Sequence, residues 1–104
     1  MTVIYDKVAV IGMGLIGASI ALAARRGGLA TTIIGSDQSP EVAAVVARLQ
    51  LVDSFEVDAA HAVADADLVI LAVPVGAVGK IAEQIVPHMK SGAVLTDTGS
   101  TKRS

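Results

Sequence analysis

The chain has 104 residues, 53% of them hydrophobic, no cysteine and a formal net charge of −2 at pH 7. That length suffices for one domain or part of one; the lack of cysteine excludes a disulfide framework and a thiolate zinc site, and no metal site is expected. The basic runs, Arg25-Arg26 and Lys102-Arg103, are too short for a nucleic-acid surface, and with only Tyr5 and Phe55 as aromatics the core must be built from Val, Ile, Leu and Ala, as in a buried parallel sheet.

In chain order, residues 7–11 read as a first strand and residues 15–26 as a helix stopped by Gly27 and Gly28. Between them Gly12, Gly14 and Gly17 stand in GxGxxG spacing. Gly12 permits a tight strand-to-helix turn, Gly14 leaves room for a pyrophosphate against bare backbone, and Gly17 lets the helix pack close to the sheet. The phosphates would rest on unpaired N–H groups at the positive end of the helix dipole, beside Met13, Leu15 and Ile16. Met13 either packs beside an adenine or shields the turn. The apolar stretch after Lys7 imitates a secretory signal, but Asp6 and the three glycines argue against one. Residues 8–24 are also too short and too glycine-broken for a membrane span.

Residues 31–36 form a second strand ending at Asp37, twenty positions beyond Gly17. At this spacing a carboxylate takes the adenosine ribose 2′-OH. No Arg or Lys adjoins Asp37, so NAD is favoured over NADP, whose 2′-phosphate the carboxylate would repel. The competing role for Asp37 is a cap on the next helix, for which Ser39 is the better placed residue, with Pro40 at the first helical position. That helix runs to about Gln50 with Val42, Val45, Val46 and Leu49 as its buried stripe. Residues 55–57 suggest a short third strand and 58–64 a helical turn. Asp65 and Asp67 read as a solvated turn at the end opposite the ligand crevice.

Residues 68–73 are a continuous apolar run and the clearest strand. After Pro74 an amphipathic helix covers residues 75–86, with Val78, Ile81, Ile85 and Val75 inward. Residues 92–97 make a fifth strand. Alternating strands and helices predict an α/β, Rossmann-like, doubly wound parallel sheet of order 3-2-1-4-5, with ligands at the carboxyl ends of the strands. The switch point between strands one and four makes Val73 and Pro74 neighbours of the pyrophosphate and nicotinamide ribose, and Thr98 follows strand five at the same end.

Four segments together resemble the prephenate/arogenate (cyclohexadienyl) dehydrogenases of tyrosine biosynthesis: GMGLIGAS at 12–19, GSD at 35–37, ADLVILAVPV at 66–75 and TDTGSTK at 96–102. The first and third occur in looser form in 6-phosphogluconate, 3-hydroxyisobutyrate and pyrroline-carboxylate reductase-type enzymes; the discriminating pieces are GLIG followed by AS at 14–19 and DTGSTK at 97–102. The resemblance implies an oxidoreductase for oxidative decarboxylation of a cyclohexadienol. Hydride would pass to the nicotinamide and the ring carboxylate would leave as carbon dioxide, with Ser100 hydrogen-bonding the substrate hydroxyl. Ser100 could equally cap a following helix. The family's catalytic histidine belongs to a His-Pro segment downstream of Gly-Ser-x-Lys, a position that neither His61 nor His88 occupies.

The chain, residues 1–104, is thus expected to be the N-terminal NAD(P)-binding portion of a cytoplasmic, homodimeric enzyme. It would lack the end of that domain, the substrate arginines and the helical dimerisation domain, and would be inactive alone. A non-catalytic nucleotide-sensing module on the same fold is the reading from another class. Among enzymes, the rival is a 3-hydroxy-acid or 6-phosphogluconate-type dehydrogenase.

Overall fold

Successive residues of a strand face opposite sides of a sheet, and the run from Val8 to Ile11 is apolar on both sides, so it must be covered twice. In the computed structural model, which describes residues 5–28 and 30–97, it is. Strand β1 (Tyr5–Ile11) lies at the centre of a five-stranded parallel sheet. Helix α1 (Leu15–Gly27) leads to β2 (Ala30–Ser36), and α2 (Pro40–Leu49) to β3 (Ser54–Glu56). The chain then crosses through α3 (Ala59–Val63) to β4 (Leu68–Leu71), on the other side of β1, and through α4 (Val75–Ile85) and a 3-10 turn (Val86–His88) to β5 (Val94–Asp97). The order is β3-β2-β1-β4-β5, the predicted one.

Two apolar layers flank the sheet. Val8, Val10, Ile33 and Leu68 pack with Met13, Ala21, Ala24 and Val46 on the α1/α2 face. Ala9, Ile11, Ile34, Val69 and Leu71 pack with Ala62, Val63 and Ile85 on the α3/α4 face. The small residues of α1 and α3 let these helices sit close to the strands, a packing that suits a chain with so few aromatic side chains.

Several boundaries and faces differ from expectation. β4 ends at Leu71 and β5 starts at Val94, because each strand is only as long as its neighbour's ladder: Leu68 to Leu71 are in register with Val94 to Asp97. In α2 the predicted stripe is half right. Val46 is buried, but Val45 is 42% and Leu49 57% exposed. The helix lies toward the sheet edge beside the three-residue β3, so one flank of its apolar face has no strand beneath it. Val75, expected inward, is 64% exposed. It opens α4 at the rim of the sheet, before the helix reaches the face that buries Ile85.

Asp65 and Asp67 lie at the amino ends of the strands, as predicted, but Asp67 is no merely solvated turn. Its carboxylate accepts the Lys7 N–H at 2.9 Å and pairs with the Lys90 ammonium, while its carbonyl accepts the Val94 N–H at 2.9 Å. One residue therefore ties the entries of β1, β4 and β5.

Candidate nucleotide-binding site

The carboxyl end of β1 is held on both sides. Gly12 N–H donates to the Ser36 carbonyl at 2.7 Å, and Ala72 N–H donates to the Ile11 carbonyl at 2.8 Å. The chain then has to turn at once into α1. It does so at Gly12 with φ +93°, where a Cβ would lie 2.6 Å from the Ala72 carbonyl oxygen and 2.9 Å from Val73 Cγ1. At Gly17 a Cβ would lie 1.8 Å from the Gly12 carbonyl oxygen, so the first turn of α1 is seated directly on the loop.

Gly14 is different in kind. Its φ is −70°, accessible to any residue, and a Cβ there would meet nothing within 4 Å. The protein's own packing gives no reason for glycine at this place, as at Gly27, Gly76 and Gly79. Gly14 is also the N-cap of α1, with no side-chain cap and no acidic residue in the first turn. α4, which starts at the neighbouring strand end, is likewise without a side-chain cap. The two other helices are capped: Ser39 Oγ accepts the Val42 N–H at 3.3 Å, and Asp58 Oδ1 accepts the Ala60 N–H at 3.0 Å. Among the described α-helices, the two that start nearest the switch point, α1 and α4, are thus the ones without a side-chain cap, the arrangement that leaves helix-start amides open to a partner from outside.

A crevice of about 380 Å³ lies between the carboxyl ends of β1 and β2 and one face of α4, and Gly14, Leu15, Ile16 and Gly17 are not in its lining. Gly12, Asp37 and Val73 are in its lining, so residues far apart in sequence converge as expected, and Pro74 stands at the N-cap of α4 beside it. The Asp37 carboxylate performs internal work as well. Oδ2 accepts the Met13 N–H at 2.8 Å and Oδ1 accepts the Ser39 N–H at 2.9 Å, which fastens the glycine loop to the start of α2. Each oxygen keeps a second lone pair for a ligand hydroxyl. Of the two roles for Met13, shielding the turn is the one its geometry allows: the side chain is 3% exposed and turned into the core, with its sulfur 3.1 Å from where a Gly35 Cβ would be. Ile16, 59% exposed, stands open on the first turn of α1, which Leu15 begins. Thr98 and Ser100 lie outside the described residues.

Of the lining residues that sequence reasoning missed, the largest group from one element comes from α4, beside Ile11, Ser36, Gln38, Val57 and Ala59. Ala77, Lys80, Ile81 and Gln84 follow one another at the i, i+3, i+4, i+7 spacing of a single helix face. That row was readable, but it borders the Val78, Ile81, Ile85 stripe that hydrophobicity alone selects. Neither histidine is in the lining. His61 lies on α3, exposed and 3.9 Å from Asp58, and His88 ends the 3-10 turn. Among the described residues no group of three His, Asp or Glu could hold a metal ion.

The family model for the nucleotide-binding domain of prephenate dehydrogenase matches residues 20–104. This chain belongs to the prephenate dehydrogenase family. It is 39% identical over 101 residues to the cyclohexadienyl dehydrogenase of Zymomonas mobilis, covering 97% of this chain and 34% of that protein. Among solved structures it is similar to Synechocystis arogenate dehydrogenase, with TM-score 0.80, 32% identity and coverage of 88% of this chain and 32% of that one. It is also similar to A. aeolicus prephenate dehydrogenase in complex with hydroxyphenyl propionate and NAD+, with TM-score 0.79, 27% identity and coverage of 88% and 32%. The chain thus spans about a third of the length of these prephenate dehydrogenase relatives.

Proposed function

We propose that the chain is the part of a prephenate/arogenate-type dehydrogenase that binds NAD. The observation that carries this reading is Gly14, a glycine that packing and backbone geometry do not require, set at an uncapped helix start. Family membership and the NAD+ complex of the A. aeolicus relative support it.

In this reading the amide groups that open α1 and the bare backbone at Gly14 receive the pyrophosphate. Asp37 takes a ribose hydroxyl with lone pairs that the Met13 and Ser39 amides leave free. The apolar walls at Ile11 and Ile81 take the adenine, and Val73 with Pro74 borders the pyrophosphate and nicotinamide ribose. Bound there, the nicotinamide cofactor would supply the hydride acceptor for oxidation of a cyclohexadienol, prephenate or arogenate. Ser100 is assigned a hydrogen bond to the substrate hydroxyl. A homodimeric, cytoplasmic enzyme belongs to the same proposal. No described helix is long and apolar enough to cross a membrane.

Calorimetric titration with NAD tests the reading, with Asp37→Ala alongside and circular dichroism to show that each protein is folded. NAD is expected to bind, and the variant to bind about tenfold more weakly, since one charge-assisted hydrogen bond is lost. A folded chain that takes up no NAD would overturn the proposal.

A further inference from the structure

Asp37 was expected to stand without a neighbouring cation, and along the sequence it does. In the fold it does not. α4 brings Lys80, 43 positions later, into the same 380 Å³ crevice. Asp37 and Lys80 are the two charged residues of that lining, so its formal charge is zero rather than −1. The two groups differ in how they are held. Both Asp37 oxygens are drawn back onto backbone amides at 2.8 and 2.9 Å, and those dipoles offset part of the carboxylate charge. Lys80 is exposed, and the ion pairs among the described residues use Lys7, Arg25, His61 and Lys90 instead. A long ammonium with no ion pair among the described residues therefore belongs to the lining of a site whose carboxylate is tethered.

We propose that Lys80 is a specificity-determining residue of this site: it lets the adenosine end admit a ribose 2′-phosphate, so that NADP binds despite Asp37. The inference rests on the reading that the crevice takes the adenosine half of a dinucleotide. A 2′-phosphate brings up to two negative charges and three acceptor oxygens. Against Asp37 alone these are repelled; with Lys80 in the same lining, an ammonium is available for a charge-assisted contact. Gln38 and Gln84, also in the lining, carry neutral amide donors that suit the remaining oxygens.

The test titrates the whole chain and its Lys80→Ala and Lys80→Arg variants with NAD and with NADP at low and moderate salt. Because Lys80 is exposed and makes no ion pair among the described residues, its replacement should leave the fold intact, which circular dichroism verifies. The ratio of NADP to NAD affinity is expected to fall about tenfold in Lys80→Ala and to be retained in Lys80→Arg. The gap between natural chain and Lys80→Ala should narrow as salt rises. An unchanged ratio in Lys80→Ala, or a natural chain that binds NAD but not NADP, overturns the role of Lys80 and leaves the NAD reading standing. A folded natural chain that binds neither nucleotide overturns both.

Discussion

Gly14 and Gly17 belong to one motif, yet they are glycine for opposite reasons, and this difference can be measured. At Gly17 a methyl group would overlap the Gly12 carbonyl oxygen at 1.8 Å, so Gly17→Ala must displace helix from loop. Its expected cost exceeds about 2 kcal/mol in denaturant unfolding. At Gly14 the methyl group has open space, and Gly14→Ala should cost less than about 1 kcal/mol, the difference between two residues at an N-cap. Nucleotide affinity should nonetheless drop at least about tenfold, because the methyl occupies the approach to bare backbone. Equal losses of stability in the two variants would refute the distinction. The motif spacing made the three glycines and Asp37 legible in the sequence, since a turn and a following strand are local. The tether between Asp37 and the Met13 amide was not, because it depends on how two loops meet. Lys80 was hidden for the same reason.

Among the elements, the capping pattern separates α1 and α4 from α2 and α3. Ser39 and Asp58 were readable as caps or helix starts from residue type alone. That the two uncapped starts share one end of the sheet follows only from the strand order. Where an apolar stripe meets solvent is equally a tertiary matter: Val45 and Leu49 have the right spacing, but the sheet runs out beneath them. α4 carries a further cost in Gly79, a helical glycine whose absent Cβ would meet nothing within 4 Å. Gly79→Ala should therefore raise stability by about 0.5 to 1 kcal/mol, the usual difference between these residues in a helix interior. Chemical denaturation would read this as a higher midpoint at unchanged slope; a lower midpoint would show that the position is needed for a close approach.

Over the whole molecule, the two ends of the sheet have separate tasks. The carboxyl ends carry the crevice, and the amino ends carry the Lys7, Asp67 and Lys90 network. The hydrogen bond from Lys90, with that of the Lys7 amide, holds the Asp67 carboxyl below its usual 3.8, and Asp67 raises Lys90 above its usual 10.5. A carboxyl lowered by folding contributes stability that is full above pH 3.8 and is lost as pH falls through its folded value. An ammonium raised by folding contributes stability that is full below pH 10.5 and is lost as pH rises through its folded value. Replacing Lys90 by Met should thus lower the Tm across the range between, and the variant's deficit should shrink at both extremes. Deficits that stay constant with pH would show that the pair is not responsible. By itself the sequence determined the alternation of strands and helices, the parallel sheet and its order, and the glycine loop with its acidic partner. These follow from periodicity, chirality and contacts between neighbours in the chain. Only the tertiary structure decided which helix face closes the crevice, that Asp67 joins three strands, and that a lysine from α4 lines the same crevice as Asp37. Such contacts join residues brought together by crossovers, and no local pattern of residue types encodes where they will meet.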